Sequence, residues 1–202
     1  DGGLYALPTT LDYPVMFYRK DILEEMHISL EECQTWDTML QVVLPKLQMK
    51  NLKFGLTPSL VSYLTFYYQG DNELYTEDSL SILLDSKEGI NAFKEYTSIY
   101  TDYKQNLTFS FVNLFRSGEM PIAVMPYSQY YQLSVFAPEI EGKWGMMLVP
   151  GTKDENGEMN HATACTVTGA SILADTDRKE EAWEFLKWWA GDDAQTKYAR
   201  NI

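Results

Sequence analysis

Cysteine and histidine are scarce in this sequence, with two residues of each: Cys33 and Cys165, His27 and His161. Two cysteines are too few for a disulfide framework and nothing in the sequence brings them together, so both read as unpaired thiols. The isolated histidines fit no ligand spacing, and no metal centre is expected. Basic charge is also short. Sixteen Lys and Arg stand against 29 Asp and Glu, a net charge of −13, which makes nucleic-acid backbones and anionic membranes poor partners. No apolar run approaches the roughly 20 residues that span a bilayer. The chain begins at Asp1, without Met, a basic segment or an apolar core, and reads as a mature or excised segment. There is no Gly-x-Ser-x-Gly elbow, no glycine loop to cradle a phosphate and no histidine beside a nucleophile, so no catalytic residue or cofactor is assigned. The acidic pairs Glu24-Glu25, Glu31-Glu32 and Asp192-Asp193 are neighbours on helical segments, point in different directions and read as solvated faces. Glycosidase carboxylates can lie far apart in sequence, and that class stays open on these grounds.

What the chain does have is aromatic residues: 14 Tyr, 5 Trp and 9 Phe in 202 residues. The stretch from Phe115 to Tyr131 organises the rest. It reads as a helix end, a glycine stop at Gly118, a buried strand from Met120 to Met125, and a loop rich in tyrosine. Ligands of open α/β sheets sit beyond the carboxyl ends of strands, where Tyr127, Ser128, Gln129 and Tyr130 would emerge. The competing reading is a helix N-terminus whose tyrosines fill a surface groove. A buried tyrosine hydroxyl needs a partner, so tyrosines at element ends favour a cleft lining. Tyr63, Tyr127, Gln129 and Tyr130 are placed on that face.

Taken in order, Leu4–Thr10 is an extended segment ended by Pro8, and Val15–Tyr18 is a second. Asp21 caps a helix over Ile22–Met26, and Thr35 caps the next. Leu40, Val43, Leu44 and Leu47 make one apolar stripe, with Pro45 expected to kink or end that helix near Leu44. A helix is predicted from Leu60 to Gln69, a hairpin or edge strand from Tyr75 to Leu84, and a capping-box start at Asp85–Glu88. The helix that follows should bury Ile90, Phe93, Tyr96 and Tyr100. Asn106–Leu114 is a connection and a short helix. Trp144–Val149 is a strand, Lys153–Glu158 a solvated turn, and Thr163–Leu173 a long strand with Gly169 inside it. Arg178–Trp189 is a helix with Ala182, Phe185, Leu186 and Trp189 on one face, and another helix starts near Asp192.

This order of elements resembles a known family. Leu4-Tyr-Ala-Leu-Pro8, Phe17-Tyr-Arg-Lys-Asp-Ile-Leu23, Thr35-Trp36, Gln69-Gly70, Phe115-Arg-Ser-Gly-Glu-Met-Pro-Ile-Ala-Val-Met125, Trp144-Gly-Met-Met-Leu-Val-Pro150, Val167-Thr-Gly169 and Glu181-Ala-Trp-Glu-Phe-Leu186 appear in the order seen in the extracellular solute-binding proteins of ABC importers, the maltose-binding-protein-like family. Arg19 stands where Asn is usual, and Asp71 where a second glycine is common. The resemblance implies an α/β fold: a type II periplasmic-binding-protein lobe with a mixed sheet flanked by helices, plus strands that cross between lobes. Family members have two lobes about a hinge and are roughly twice this length. Residues from about 12 to 160 resemble the second lobe; 1–11 and 161–202 resemble the hinge strands and a remnant of the first.

The resemblance implies a non-enzymatic binder of an oligosaccharide or similar polar solute that delivers it to an ABC permease in the membrane. It also implies an extracellular or periplasmic setting, with a lipoprotein anchor on the whole protein. A sensory or carbohydrate-active module on the same fold is the alternative. By position Tyr63, Ser128 and Tyr130 match ligand contacts of sugar-binding relatives; Ser128 departs from their aromatic pattern, and Tyr127 or Gln129 could take its place. Strand edges and an apolar helix face without partners imply self-association of the 202-residue chain.

Overall fold

In the computed structural model, which describes residues 5–154 and 156–201, the first two strands differ sharply in their surroundings. β1 (Leu7–Asp12) is exposed or half-buried throughout, whereas β2 (Pro14–Arg19) is buried at Val15, Met16 and Phe17. From β2 the chain enters α1 (Lys20–Glu25), then α2 (Trp36–Thr38), a π-helical segment (Met39–Val43) and α3 (Leu44–Met49). β3 (Phe54–Leu56), α4 (Leu60–Gln69), α5 (Lys87–Thr101), α6 (Phe111–Ser117), β4 (Ile122–Pro126), α7 (Gln129–Phe136) and β5 (Trp144–Met147) follow. The chain closes with the hairpin β6 (Thr152–Lys153) and β7 (Met159–Asn160), then β8 (Thr166–Ala170), α8 (Lys179–Trp189) and α9 (Asp192–Asn201). It divides into two units, Tyr13–Ala164 and Asp1–Asp12 with Cys165–Ile202.

The larger unit is built on a four-stranded mixed sheet in the order β3-β4-β2-β5. β3 runs parallel to β4, while β2 is antiparallel to both β4 and β5. β2, β3 and β4 carry buried side chains on both faces, since the pleat sends successive residues to opposite sides, while β5 at the edge is half-buried. Met16, Ile122 and Val124 join Trp36, Leu40, Leu44, Phe66 and Tyr67 on one side. Val15, Phe17, Ala123 and Met125 join Phe111, Phe115 and Leu133 on the other. Helices therefore cover both faces. Geometry requires glycine at Gly118, which ends α6 at φ +86°, and at Gly55, where a Cβ would lie 2.7 Å from the Ala123 Cβ.

The smaller unit pairs β1 with β8, antiparallel from Leu7↔Ala170 to Asp12↔Thr166, with a register shift between Pro8 and Thr10. Pro8 does not end the strand. In a two-stranded sheet both strands are edges, and a prolyl nitrogen can face away from its partner. Leu186 and Ala194 are buried in this unit, and Trp189 packs edge-on against Tyr198 at 5.3 Å. Leu4 lies outside the described residues.

Other local expectations shift for physical reasons. The helix runs on through Pro45, because the π-helical segment before it has a wider hydrogen-bonding turn that accommodates the missing N–H. Leu40, Val43, Leu44 and Leu47 are buried as their spacing predicts. α1 starts at Lys20, so Asp21 sits in its first turn and accepts from the Ile22 amide at 3.1 Å. Thr35 caps α2 by accepting from the Thr38 amide. The cap of α5 is Ser86, accepting from the Gly89 amide at 3.0 Å. That helix buries Gly89, Ala92, Tyr96 and Ile99, while Ile90 and Phe93 are exposed and Tyr100 is half-buried. The buried positions follow one another at intervals of three and four residues, one stripe of the helix that meets α4 through Ala92, Tyr96 and Ile99.

Tyr75–Leu84 carries a single antiparallel bridge, Tyr75↔Ile82, in place of a strand. The 153–158 turn joins β6 to β7, with the Asp154 carboxylate accepting the amides of Asn156 and Glu158; Glu155 lies outside the described residues. The tyrosine-rich stretch after β4 is a short turn leading into α7, with no Gly or Pro from Tyr127 to Phe136 to interrupt it.

A candidate ligand-binding face at the start of β2 and the end of β4

β2 and β4 pair from Pro14↔Pro126 onward, and the Tyr127 amide donates to the Tyr13 carbonyl at 2.8 Å. This register sets the two tyrosines side by side just beyond the sheet. Their rings lie 5.6 Å apart and 13° from parallel. The Tyr130 amide donates to the Tyr127 carbonyl at 2.9 Å, and this turn brings the Tyr130 ring to 6.0 Å from Tyr127, only 4° from parallel. Near-parallel rings at such distances are offset-stacked, the arrangement that the ring quadrupole favours. Trp144, on β5, closes the row at 5.8 Å and 60° from Tyr130, and its other contacts are with Phe17 and Phe115 in the core. The row is thus anchored at one end, while Tyr13, Tyr127 and Tyr130 keep 38%, 41% and 44% of their surface exposed.

Of the residues expected to line one face, Tyr127 and Tyr130 come together, and Ser128 is an exposed residue between them at the N-cap of α7. Gln129 is half-buried and lines a different depression, of about 400 Å³, with Asn113, Arg116, Gln132 and Phe136. Tyr63 belongs to the core. Its hydroxyl donates to the Gly89 carbonyl at 3.1 Å, and its ring packs on Tyr67, Phe93 and Tyr96. Its position near the start of a helix suggested a cleft, but the α4 face that carries it is the one turned against α5. Tyr13 enters the face through the β2–β4 register, which no local sequence signal gives. Trp144 opens a strand and a motif of the family resemblance in the sequence, but nothing there places its ring beside Tyr130.

Elsewhere in this unit, a cavity of about 290 Å³ is lined by Glu31, Asp37, Glu95, Thr152 and Lys153, among others. Burial, and then the nearby Asp37 carboxylate, raise the Glu95 carboxyl above its ordinary value. His161 Nδ1 lies 2.7 Å from the Val149 carbonyl, a structural contact within the 149–161 segment. Among the described residues no three His, Cys, Asp or Glu side chains come together as a metal site.

Known proteins share this architecture. An arabinooligosaccharide-binding protein of Halalkalibacterium halodurans is 24% identical over 199 residues, covering 93% of this chain and 44% of its own. An ABC transporter solute-binding protein from Thermotoga lettingae TMO, solved with α-D-tagatose, superposes with a TM-score of 0.74 at 21% identity, over 98% of this chain and 52% of that one. An ABC transporter associated binding protein from B. animalis subsp. lactis Bl-04, in complex with β-1,6-galactobiose, gives 0.74 at 20% identity, over 97% and 50%. The chain therefore spans about half the length of the relatives it matches. Residues 1–196 match the family described as bacterial extracellular solute-binding protein, and the chain belongs to that family.

Proposed function

We propose that this chain is the ligand-contacting part of a binding protein for a neutral, hydroxyl-rich solute, an oligosaccharide first of all, and that it has no catalytic role. The observation that carries this reading is the row of three near-parallel, half-exposed tyrosines at the mouth of a sheet whose other aromatics are mostly packed inside. Flat apolar rings that carry hydroxyls suit the C–H faces and O–H groups of sugars. Relatives that bind an arabinooligosaccharide, tagatose and galactobiose support the same ligand class. In this reading Tyr13–Ala164 is the second lobe of a longer protein, held outside the cytoplasm by a lipid anchor, and an ABC permease receives the solute. The exposed aromatics of α8, Phe185 and Trp188, support self-association of the 202-residue chain.

Calorimetric titration with arabinotriose, β-1,6-galactobiose and D-tagatose tests this. An open face contacts only part of a ligand, so binding is expected near millimolar, about −4 kcal/mol. Tyr130→Ala should weaken it by about 1–3 kcal/mol with little change in melting temperature. Failure of every sugar to bind, or cleavage of a bound one, would overturn the proposal.

A further inference from the structure

We infer that α5 carries a second binding site, sharing no residue with the tyrosine row, that takes a small carboxylate with an apolar body. This inference does not rest on the solute-binding reading. α5 buries one stripe, Gly89, Ala92, Tyr96 and Ile99, and a second stripe lies beside it at helical spacing, Phe93, Thr97, Tyr100 and Thr101. With Pro58 and Leu107 the second stripe lines a pocket of about 550 Å³. Sites for small molecules span roughly 300–1,000 Å³. Phe93 and Leu107 are large and apolar, yet more than half exposed there. The Phe93 ring packs edge-on against Tyr63 at 5.6 Å, and Tyr100 stands edge-on to Tyr96 at 5.5 Å, so the aromatic wall is held from behind.

The chemistry of the lining selects its occupant. The Tyr100 hydroxyl donates to the Leu56 carbonyl at 2.9 Å, and that of Tyr96 accepts from the Ser59 amide at 3.1 Å. Thr97 donates to the Phe93 carbonyl and Thr101 to the Asp102 carboxylate, both at 2.8 Å. Gln105 is engaged through both its polar atoms: Oε1 accepts from the Phe54 amide at 3.0 Å and Nε2 donates to the Tyr103 carbonyl at 2.8 Å. A hydroxyl-rich solute finds few groups here left to bond, whereas an apolar body displaces water without breaking any of these bonds. The exception is Lys104, which lines the same pocket. Its ammonium donates to the Thr101 carbonyl and forms no ion pair among the described residues, so it keeps further N–H groups for an anion. An extended peptide is disfavoured, because Tyr100 and Gln105 already occupy backbone groups of β3, an edge strand of the sheet. A carboxylate at Lys104, with an apolar ring or chain against Phe93 and Tyr100, suits both parts of the pocket.

Calorimetric titration with phenylbutyrate and with the uncharged phenylbutanol tests the site. The acid should bind the wild type about fivefold more tightly than the alcohol, the scale of one surface ion pair. Lys104→Asn removes the charge, and Asn tolerates the backbone at φ +54°, so the acid should fall to the affinity of the alcohol. Phe93→Ser should weaken both probes about tenfold. Because Phe93 also touches Tyr63, Leu107→Glu tests the wall a second time at an exposed position, and should weaken the acid about fivefold and the alcohol less. A wild type that binds neither probe at about 10 mM would overturn the inference. So would equal affinities for acid and alcohol, or a Lys104→Asn protein that still prefers the acid. Acid binding left unchanged by both Phe93→Ser and Leu107→Glu would put the probe elsewhere and overturn it as well.

Discussion

The indole N–H of Trp36 donates to Oε1 of Gln69 at 3.0 Å, and both side chains are almost wholly buried. The same oxygen accepts from the Thr152 hydroxyl at 3.1 Å, while the amide nitrogen donates to the Pro150 and Ala162 carbonyls at 2.9 and 3.2 Å. One glutamine thus ties the end of α4 to α2 and to both ends of the segment that follows β5. Backbone bonds from Trp36 to Gly151 and from Gly151 to Gln34 run alongside it.

Replacing Gln69 with Leu keeps the volume roughly but leaves the indole N–H and two carbonyls without their partner. Each stranded buried group costs about 1–3 kcal/mol, so a loss of about 3 kcal/mol or more is expected in urea unfolding. Gln69→Glu should be comparably harmful near neutral pH, because a carboxylate still accepts from Trp36 but cannot donate to the carbonyls. A change below about 1 kcal/mol would show that water substitutes easily at this junction.

Tyr63 should behave as a core residue. Tyr63→Ala is expected to cost about 3–5 kcal/mol, as for other large buried aromatics, and Tyr63→Phe about 1 kcal/mol for the bond to Gly89. Ligand affinity of the folded fraction should not change. Thermal melts beside titrations separate the two effects, and a stable Tyr63→Ala protein with weakened binding would return this residue to the ligand face.

Two carboxyls predict opposite pH trends. The hydrogen bond from the Arg19 guanidinium holds Asp21 below its ordinary value of 3.8. The unfolded chain then takes up this proton at higher pH than the folded one. The stability contributed is present above about pH 4 and is lost as pH falls further. Glu95, raised above 4.5 chiefly by burial, does the reverse: its contribution is full below about pH 4.5 and declines as pH rises through the folded value. Glu95→Gln should therefore be more stable than wild type near pH 7 and no more stable in acid. Asp21→Asn should flatten the acid limb. Urea midpoints across pH measure both, and a Glu95→Gln protein destabilised near pH 7 would contradict the assignment.

The two cysteines differ in reach. Both are free, Cys165 exposed and Cys33 buried, with burial pushing the Cys33 thiol up to about 12. A thiol reagent should modify one group promptly in the native protein and the second only on unfolding, because the thiolate is the reactive form. Finding no free thiol after denaturation without reductant would reveal a disulfide that the structure does not contain.

The sequence by itself determined the elements whose signals are local. Gly118 needs a left-handed backbone, Thr35 has a hydroxyl where a helix begins, and the stripe from Leu40 to Leu47 keeps helical spacing; each acts within a few residues along the chain. The run of motifs from Leu4 to Leu186 carried the family for the same reason, since it is a matter of order alone. Tertiary structure decided which aromatics meet. Tyr63 and Tyr130 look alike in sequence, yet one faces α5 and the other stays half-exposed beside Trp144. Tyr13 joins Tyr127 because the β2–β4 register brings them together across more than a hundred residues. Which tyrosine is buried and which can meet a ligand depends on the rotation of each helix against its neighbour and on strand pairing. Both are set by long-range packing, which no local pattern encodes.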